Sequence, residues 1–468
     1  MTTNFSHLKL SPALLSNLET LGYLQMTPIQ AESLPHVLAG QDLIARAKTG
    51  SGKTVAFGLG LLNLLNQQSF AVQALVLCPT RELADQVAKE LRRLARTSAN
   101  TKIITLCGGN PFGPQIGSLA HGAHIVVGTP GRILKHLGKG TLSLGSVRAV
   151  VLDEADRMLD MGFHDDMTEI LSATPPQRQT LLFSATYPET IRELSEAFQG
   201  NPIEVTVDSH HSDLKITQHF YEVAKGKRNQ TLAALLAQYK PASTVVFCHT
   251  KLQCQEVAEE LQQKGIQALA LHGDLEQKDR DLVLVRFANG SVPVLVATDV
   301  AARGLDIKEL EAVINYELPR DPEIYIHRIG RTGRAGNKGL AMSLFIASEV
   351  NRVNAIETYL ENKVKLEQPR GLDLPEDFSL TAPNVTLCID GGRKEKVRPG
   401  DILGALTANK AVPGAMVGKI DIFDHVAYVA VDHSIRKKAL RVLSENNIKG
   451  RRFKVRVIHQ VSSNPWRA

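Results

Sequence analysis

The sequence predicts two tandem α/β domains, each built on a parallel sheet, followed by a small α+β domain. Three observations predict this. Short Val/Ile/Leu-rich runs alternate with helical patterns from residue 41 to 207. A second series of the same kind runs from residue 244 to 344. The last 84 residues change both rhythm and charge. Near-continuous apolar runs of four to six residues read as strands buried on both faces of a parallel sheet.

In the first domain the strand-like runs are Asp42–Arg46, Ala74–Cys78, His124–Gly128, Ala149–Asp153 and Thr180–Ser184. Each ends in polar loop residues, where ligands of such sheets bind. The polar segment 209–215 reads as a linker between a first domain, 1–208, and a second, 216–372. Strands of the second are expected at Thr244–Cys248, Gln267–Leu271, Val292–Val296, Ala312–Asn315 and Leu340–Leu344. Around 373–384 the chain is Pro-containing and loses periodicity, which reads as a second linker. Residues 385–468 then read as strand (Val385–Ile389), helix (Pro399–Ala408), two strands (Gly418–Phe423, His425–Asp432), helix (Ser434–Asn446) and strand (Arg451–Ile458). The tail's function is expected to separate physically from that of the two larger domains.

The chain has 468 residues, 43% apolar and 22% charged, which suits several globular units. No apolar run reaches the roughly 18 residues of a membrane span. The opening Met-Thr-Thr-Asn-Phe-Ser-His predicts no secretory leader. Cys78, Cys107, Cys248, Cys254 and Cys388 have neither zinc-knuckle nor C-x-x-C spacing, and read as reduced packing residues of a cytoplasmic protein. The net charge of +6 is uneven. Residues 385–468 hold 16 Lys and Arg against 7 Asp and Glu, a net +9, leaving the first 384 residues at −3. That asymmetry points to a polyanionic partner for the tail.

Ala47-Lys48-Thr49-Gly50-Ser51-Gly52-Lys53-Thr54 supplies glycines, a lysine and a hydroxyl at P-loop spacing, with Ala47 where the general pattern has Gly. The glycines let successive N–H groups converge on phosphate oxygens at a helix N-terminus. Lys53 suits the β/γ phosphates, and Thr54 suits Mg²⁺. About a hundred residues on, Val151-Leu-Asp-Glu-Ala-Asp156 ends an apolar run in Asp153, fit for Mg²⁺ largely through water. Glu154 beside it is fit to accept a proton from the hydrolytic water. Two acids at a strand end also suit a solvated turn; the upstream P-loop decides for chemistry, with ATP as substrate and Mg²⁺ as cofactor.

These motifs identify the chain as resembling the DEAD-box RNA helicases, over nearly all of residues 5–340. Gly22-Tyr-Leu-Gln-Met-Thr-Pro-Ile-Gln30 resembles the family's Q motif. That resemblance implies that Gln30 and Thr27 read adenine while Phe5 stacks on it. Packing in a core is the alternative for Phe5 and Tyr23. Pro79-Thr-Arg-Glu-Leu-Ala84 with Arg81, Gly108-Gly109, and Thr129-Pro-Gly-Arg132 resemble motifs lining the RNA path. Hydroxyls, glycine N–H groups and guanidinia there suit phosphates and carry no base sequence. Ser184-Ala-Thr186 resembles the motif that couples ATP to RNA.

In the second domain, the resemblance assigns Gln277, Arg280, Thr298 and Arg303 to RNA and Asp306 to the ribose. His327-Arg-Ile-Gly-Arg-Thr-Gly-Arg334 resembles the arginine-finger motif, in which Arg331 and Arg334, three apart on a helix, share one face. The fold implied is two RecA-like domains plus an RRM-like α+β domain. The tail's βαββαβ order is the layout of an RNA-recognition motif, but it keeps an aromatic of the usual stacking set only at Tyr428. Weak stacking is therefore expected, with phosphate and shape contacts through Arg393, Lys394, Arg436, Lys437, Arg451, Arg452 and Lys454. Thr386-Leu-Cys-Ile-Asp-Gly-Gly392 and Arg398-Pro-Gly-Asp-Ile-Leu-Gly-Ala-Leu406 resemble the tail of a bacterial branch of the family. That implies a 23S rRNA hairpin as target, pre-50S particles as partner, and a monomer acting in large-subunit assembly. The same motifs suit an ATP-gated RNA clamp that separates no strands. A DNA-directed motor of the superfamily is disfavoured by the Q motif, the Asp-Glu-Ala-Asp sequence and the tail.

Overall fold

The computed structural model describes residues 3–47, 51–98, 100–187, 189–207, 216–302, 310–333, 338–408 and 411–458. The chain divides near residue 212 into two compact units.

The first unit holds seven parallel strands: β1 (Leu43–Arg46), β2 (Ala74–Leu77), β3 (Ile103–Leu106), β4 (Ile125–Gly128), β5 (Ala149–Asp153), β6 (Gln179–Ser184) and β7 (Ile203–Thr206). Their order is β3-β4-β2-β5-β6-β1-β7. Apolar clusters cover both faces, one gathered on Phe57, Leu59 and Val151, the other on Leu75, Val150 and Met158. β3 and β7 are the two strands that the apolar runs do not announce. Both are edge strands; β3 is mostly buried, whereas β7 is half-exposed and needs no continuous apolar run. The alternately exposed Ile203–Thr206 shows this.

The second unit contains β8 (Ile216–Glu222), β9 (Thr244–Cys248), β10 (Ala268–Leu271), β11 (Val294–Thr298), β12 (Ala312–Asn315), β13 (Gly339–Phe345) and β14 (Leu366–Glu367). Their order, β10-β11-β9-β12-β13-β8-β14, repeats the first topology strand for strand, all parallel. β11 begins two residues later than the apolar run, after Pro293, which has no N–H for the ladder. The remaining sheet has β15 (Asn384–Ile389), β16 (Val417–Ile422), β17 (Ala427–Asp432) and β18 (Val455–Val457). It is antiparallel, in the order β16-β17-β15-β18, with helices Pro399–Thr407 and Arg436–Glu445 on the face formed by Leu387, Ile389, Val429 and Val431.

One expectation needs correction. The segment after residue 372 is no free linker. Leu380 bridges Ile266 in parallel, Ala382 N–H donates to Gln267 Oε1 at 2.9 Å, and Leu372, Leu374 and Phe378 pack on the second domain's core. The tail itself also packs on the second domain. The other face of its sheet lies against helix Gln277–Ala288 of the second domain, where Val285, Cys388 and Tyr428 form a buried cluster with Leu282, Phe423, Val426 and Ile458 around it. Beside it Asn289 Nδ2 donates to Thr386 Oγ1 at 3.0 Å, and Thr386 Oγ1 donates to Ser291 Oγ at 2.9 Å. The physical cause is in the strands themselves. β15 and β17 place small or apolar side chains on both faces, so each face requires a cover.

Candidate functional site

The turn between β1 and helix Lys53–Leu64 is shaped by Gly52, whose φ of +97° is left-handed. A Cβ there would stand 2.4 Å from Gln30 Nε2 and 3.0 Å from Thr27 Oγ1, so only glycine lets these segments meet. Gln30 is buried. Its Nε2 donates to Gly52 O at 3.0 Å and its Oε1 accepts from Thr27 N–H at 3.0 Å. The Gln motif and the P-loop thus form one constellation. Lys53 is buried, its Nζ donating to Ala47 O at 2.8 Å. Phe5 is 4% exposed inside the apolar cluster with Leu10 and Leu14, where it serves as a core aromatic. Tyr23 donates its hydroxyl to Glu90 Oε1 at 2.7 Å, away from the Gln30 constellation.

β5 delivers Asp153 to the same strand ends. Glu154 follows with φ +56°, a left-handed conformation that costs a non-glycine residue about 1–2 kcal/mol. Strain of this kind persists where surroundings enforce it, and it marks functional turns. Asp153 is 3% exposed, and its Oδ1 has no hydrogen-bond partner among the described residues. Burial raises its pKa to about 7, against the lowering influence of Lys53. A buried carboxylate oxygen that lacks a partner fits a divalent cation, and Ser51 Oγ is likewise buried and unpartnered. Glu154 Oε2 lies 3.5 Å from Arg157 Nε.

Asp156, to which the sequence reading gave no role, joins this site to the Ser-Ala-Thr segment at the end of β6. Its Oδ2 accepts from Ala185 N–H at 3.1 Å, Thr186 N–H at 3.0 Å and Thr186 Oγ1 at 3.2 Å, and its own N–H donates to Ser184 Oγ at 3.4 Å. One residue therefore gathers both proposed coupling residues, Thr186 through its carboxylate and Ser184 through its backbone N–H. The signal was its place in the same four-residue motif as Asp153 and Glu154.

The other first-domain motifs meet at a second cluster. Arg81 opens helix Arg81–Leu94 behind buried Pro79, and its guanidinium lies on Gly108-Gly109. A Cβ on Gly109, whose φ is +77°, would fall 1.7 Å from Arg81 Nη1. Thr129 caps helix Pro130–Gly138, and Arg132 in its first turn donates to Asn110 O at 3.1 Å and Gln115 Oε1 at 2.8 Å. Burial and nearby Arg81 lower the Arg132 pKa.

In the second unit, Gln277 and Arg280 stand in the first turn of helix Gln277–Ala288, with Gln277 Nε2 donating to Asp281 Oδ1 at 2.8 Å and Arg280 reaching His272 O at 3.4 Å. Thr298 ends β11. Arg331 does not lie on a helix, contrary to the sequence reading: helix Pro322–Ile329 stops at Gly330, and Leu310 N–H donates to Arg331 O. The turn through Gly333, φ +69°, breaks the periodicity that the spacing suggested. Arg328, unassigned from sequence, is 2% exposed and pairs with Asp299 through Nε–Oδ1 and Nη2–Oδ2 bonds of 2.7 Å each. It ties the two second-domain motifs together. Lys48, Thr49, Gly50, Arg303, Asp306 and Arg334 lie outside the described residues.

On the tail, Lys394, Lys437, Arg451, Arg452 and Lys454 are exposed, and together with half-buried Arg436 they make no ion pair among the described residues. Arg393 stands 3.7 Å from Asp424. Tyr428 is 6% exposed under helix Gln277–Ala288, so its ring offers no stacking face to RNA.

Comparison with known proteins agrees with this geometry. Residues 27–194 match the DEAD/DEAH box helicase family, 226–336 the helicase conserved C-terminal domain, and 386–457 the DbpA RNA binding domain. The chain is 55% identical over 460 residues to the ATP-dependent RNA helicase DbpA of Escherichia coli, covering 97% of this chain and all of that one. It belongs to the DEAD-box RNA helicases. A DEAD-box ATP-dependent RNA helicase CshA of Bacillus cereus is 46% identical over 363 residues, 77% of this chain and 69% of that one. Among solved structures, S. cerevisiae Dbp5 bound to RNA and ADP BeF3 superposes with a TM-score of 0.71 at 29% identity, covering 80% of this chain and 96% of that one. As a DEAD-box helicase the chain uses ATP and binds RNA. Among the described residues no helix is long and apolar enough to cross a membrane.

Proposed function

We propose that this DEAD-box helicase opens short RNA duplexes and is brought to a hairpin of 23S rRNA by its C-terminal domain, acting as a monomer on pre-50S particles in the cytoplasm. The observation that supports this most is the tail itself. It matches a family of RNA-binding domains, one face of its sheet is covered, and Lys394, Lys437, Arg451, Arg452 and Lys454, without ion pairs among the described residues, are exposed. RNA is then held on the outer surface by phosphate and shape, which suits a folded hairpin better than a splayed single strand.

In the ATP site, Lys53 binds the β/γ phosphates, and Gln30 with Thr27 orients the base. Thr54 and Asp153 would hold Mg²⁺, which supplies charge neutralisation at the phosphates. Glu154 accepts the proton of the attacking water, while Arg331 and Arg334 stabilise charge on the γ-phosphate in the transition state. Asp156 links this chemistry to Ser184 and Thr186. RNA and ATP bind the same state more tightly, so each raises the affinity for the other. The solved Dbp5 complex, with RNA and ADP BeF3 together, supports that arrangement.

The test is ATPase activity with 23S rRNA against the same rRNA lacking the candidate hairpin, beside a strand-displacement assay. Equal stimulation by both RNAs refutes the targeting. Stimulated ATPase without displacement makes the protein a clamp.

A further inference from the structure

We propose that Phe112 and His136 form a base-stacking platform beside the first domain's RNA path, rimmed by Arg132, Lys135 and Lys139, for an unpaired RNA base and its flanking phosphates. The inference rests on the assignment of Arg81, Gly109 and Arg132 to that path.

Phe112 opens helix Phe112–Ala120 directly after the Gly108-Gly109 turn. Its ring stacks on His136 with centroids 4.2 Å apart and planes 23° off parallel. His136 is fully buried and Phe112 is partly exposed, so the free side of the stack is the solvent side. The lower ring is anchored: His136 Nδ1 is 2.8 Å from Thr141 Oγ1, and Nε2 is 3.0 Å from Gln115 Oε1. The same Gln115 oxygen accepts from Arg132, and Gln115 Nε2 donates to Cys107 O at 3.0 Å. Burial, together with Arg132 and Lys135, lowers the His136 pKa to about 4, so the imidazole is a neutral surface at working pH.

Three cations lie over the partly exposed ring. Lys135 Nζ, Lys139 Nζ and Arg132 Cζ lie 5.2, 5.4 and 5.5 Å from its centroid. None of the three pairs with a carboxylate among the described residues. An aromatic face inside unneutralised positive charge is the chemistry of single-stranded nucleic-acid sites, where a base stacks and its phosphates meet the cations. The polar path beside it recognises backbone only. A stacked base would hold a strand after separation without demanding a sequence.

The full-length protein is titrated, with a non-hydrolysable ATP analogue, against ten-nucleotide single-stranded RNAs carrying 2-aminopurine or an abasic site at successive positions. Binding should change 2-aminopurine fluorescence at one or two adjacent positions, and Phe112→Leu should remove that change. Phe112→Leu, and an abasic site at that position, should each weaken binding by about tenfold, the scale of one base–aromatic stack. Combined, they should cost no more than either alone, and Phe112→Trp should retain affinity. The proposal fails if Phe112→Leu weakens intact and abasic RNAs equally, or weakens neither. It also fails if Phe112→Trp binds as poorly as Phe112→Leu. Arg132→Ala should weaken all of these RNAs. If it weakens none while the Phe112 coupling persists, the path assignment falls and the platform stands.

Discussion

Asp153→Asn should stabilise the nucleotide-free protein while ending hydrolysis, and the stabilisation should grow with pH. Asp153 is 3% exposed with one oxygen unpartnered, and burial raises its pKa from 3.8 to about 7. Below pH 3.8 both folded and unfolded chains hold the proton, and burial has no charge to penalise. Between 3.8 and 7 the unfolded chain releases a proton that the folded one keeps, so stability falls as pH rises through this window. At 1.36 kcal/mol per unit the whole window is worth about 4 kcal/mol, a ceiling because the pocket can relax. Asparagine is neutral throughout and escapes this penalty. The gap between variant and wild type should therefore widen by about 2–3 kcal/mol from pH 5 to pH 8, on the order of 5–10 °C in the unfolding midpoint of the first domain. Thermal and urea unfolding at pH 5, 6.5 and 8 without nucleotide measure it. Adding ATP and Mg²⁺ should favour wild type again, through ligand binding to the folded state. Parallel pH profiles for the two proteins would refute the reasoning, because the penalty would then not belong to Asp153.

Lys53→Ala should weaken ATP binding, whereas Glu154→Gln should bind ATP normally and lose turnover; nucleotide titration and phosphate release separate the two, and wild-type turnover by Glu154→Gln would remove it as the base. Arg331→Ala should lower RNA-stimulated turnover on the order of 10³-fold with little change in nucleotide affinity, and a loss confined to ATP binding would place it elsewhere. Tyr428→Ala should loosen the tail's seam by about 3–5 kcal/mol and expose Cys388 to thiol reagents; mass-mapped labelling should find Cys388 first, since all five cysteines are buried. Neutralising Arg451, Arg452 and Lys454 together should reduce the salt slope of rRNA binding by about 2–3 and leave ATPase at saturating RNA unchanged.

The sequence by itself determined the two parallel-sheet domains and the βαββαβ tail, and it put forward the residues proposed for the ATP site. Those signals are local: a buried strand is a run of apolar residues, and a phosphate loop is a short pattern of glycines with Lys53 and Thr54. Asp153 and Glu154 were legible for the same reason, since a strand end places adjacent residues together. Edge strand β7 was not, because a half-exposed strand needs no apolar run. The repeated strand order of the two domains is likewise a property of pairing across the chain. Only the tertiary structure decided which side chains meet over long separations. Gln30 closes on Gly52 across 22 residues, Asp156 gathers Thr186 across 30, and Thr386 reaches Asn289 across 97. Tyr428 shows the difference most plainly. On its own strand it reads as a remnant stacking residue, yet helix Gln277–Ala288 covers it, because a strand with two apolar faces stays out of water only when both are covered.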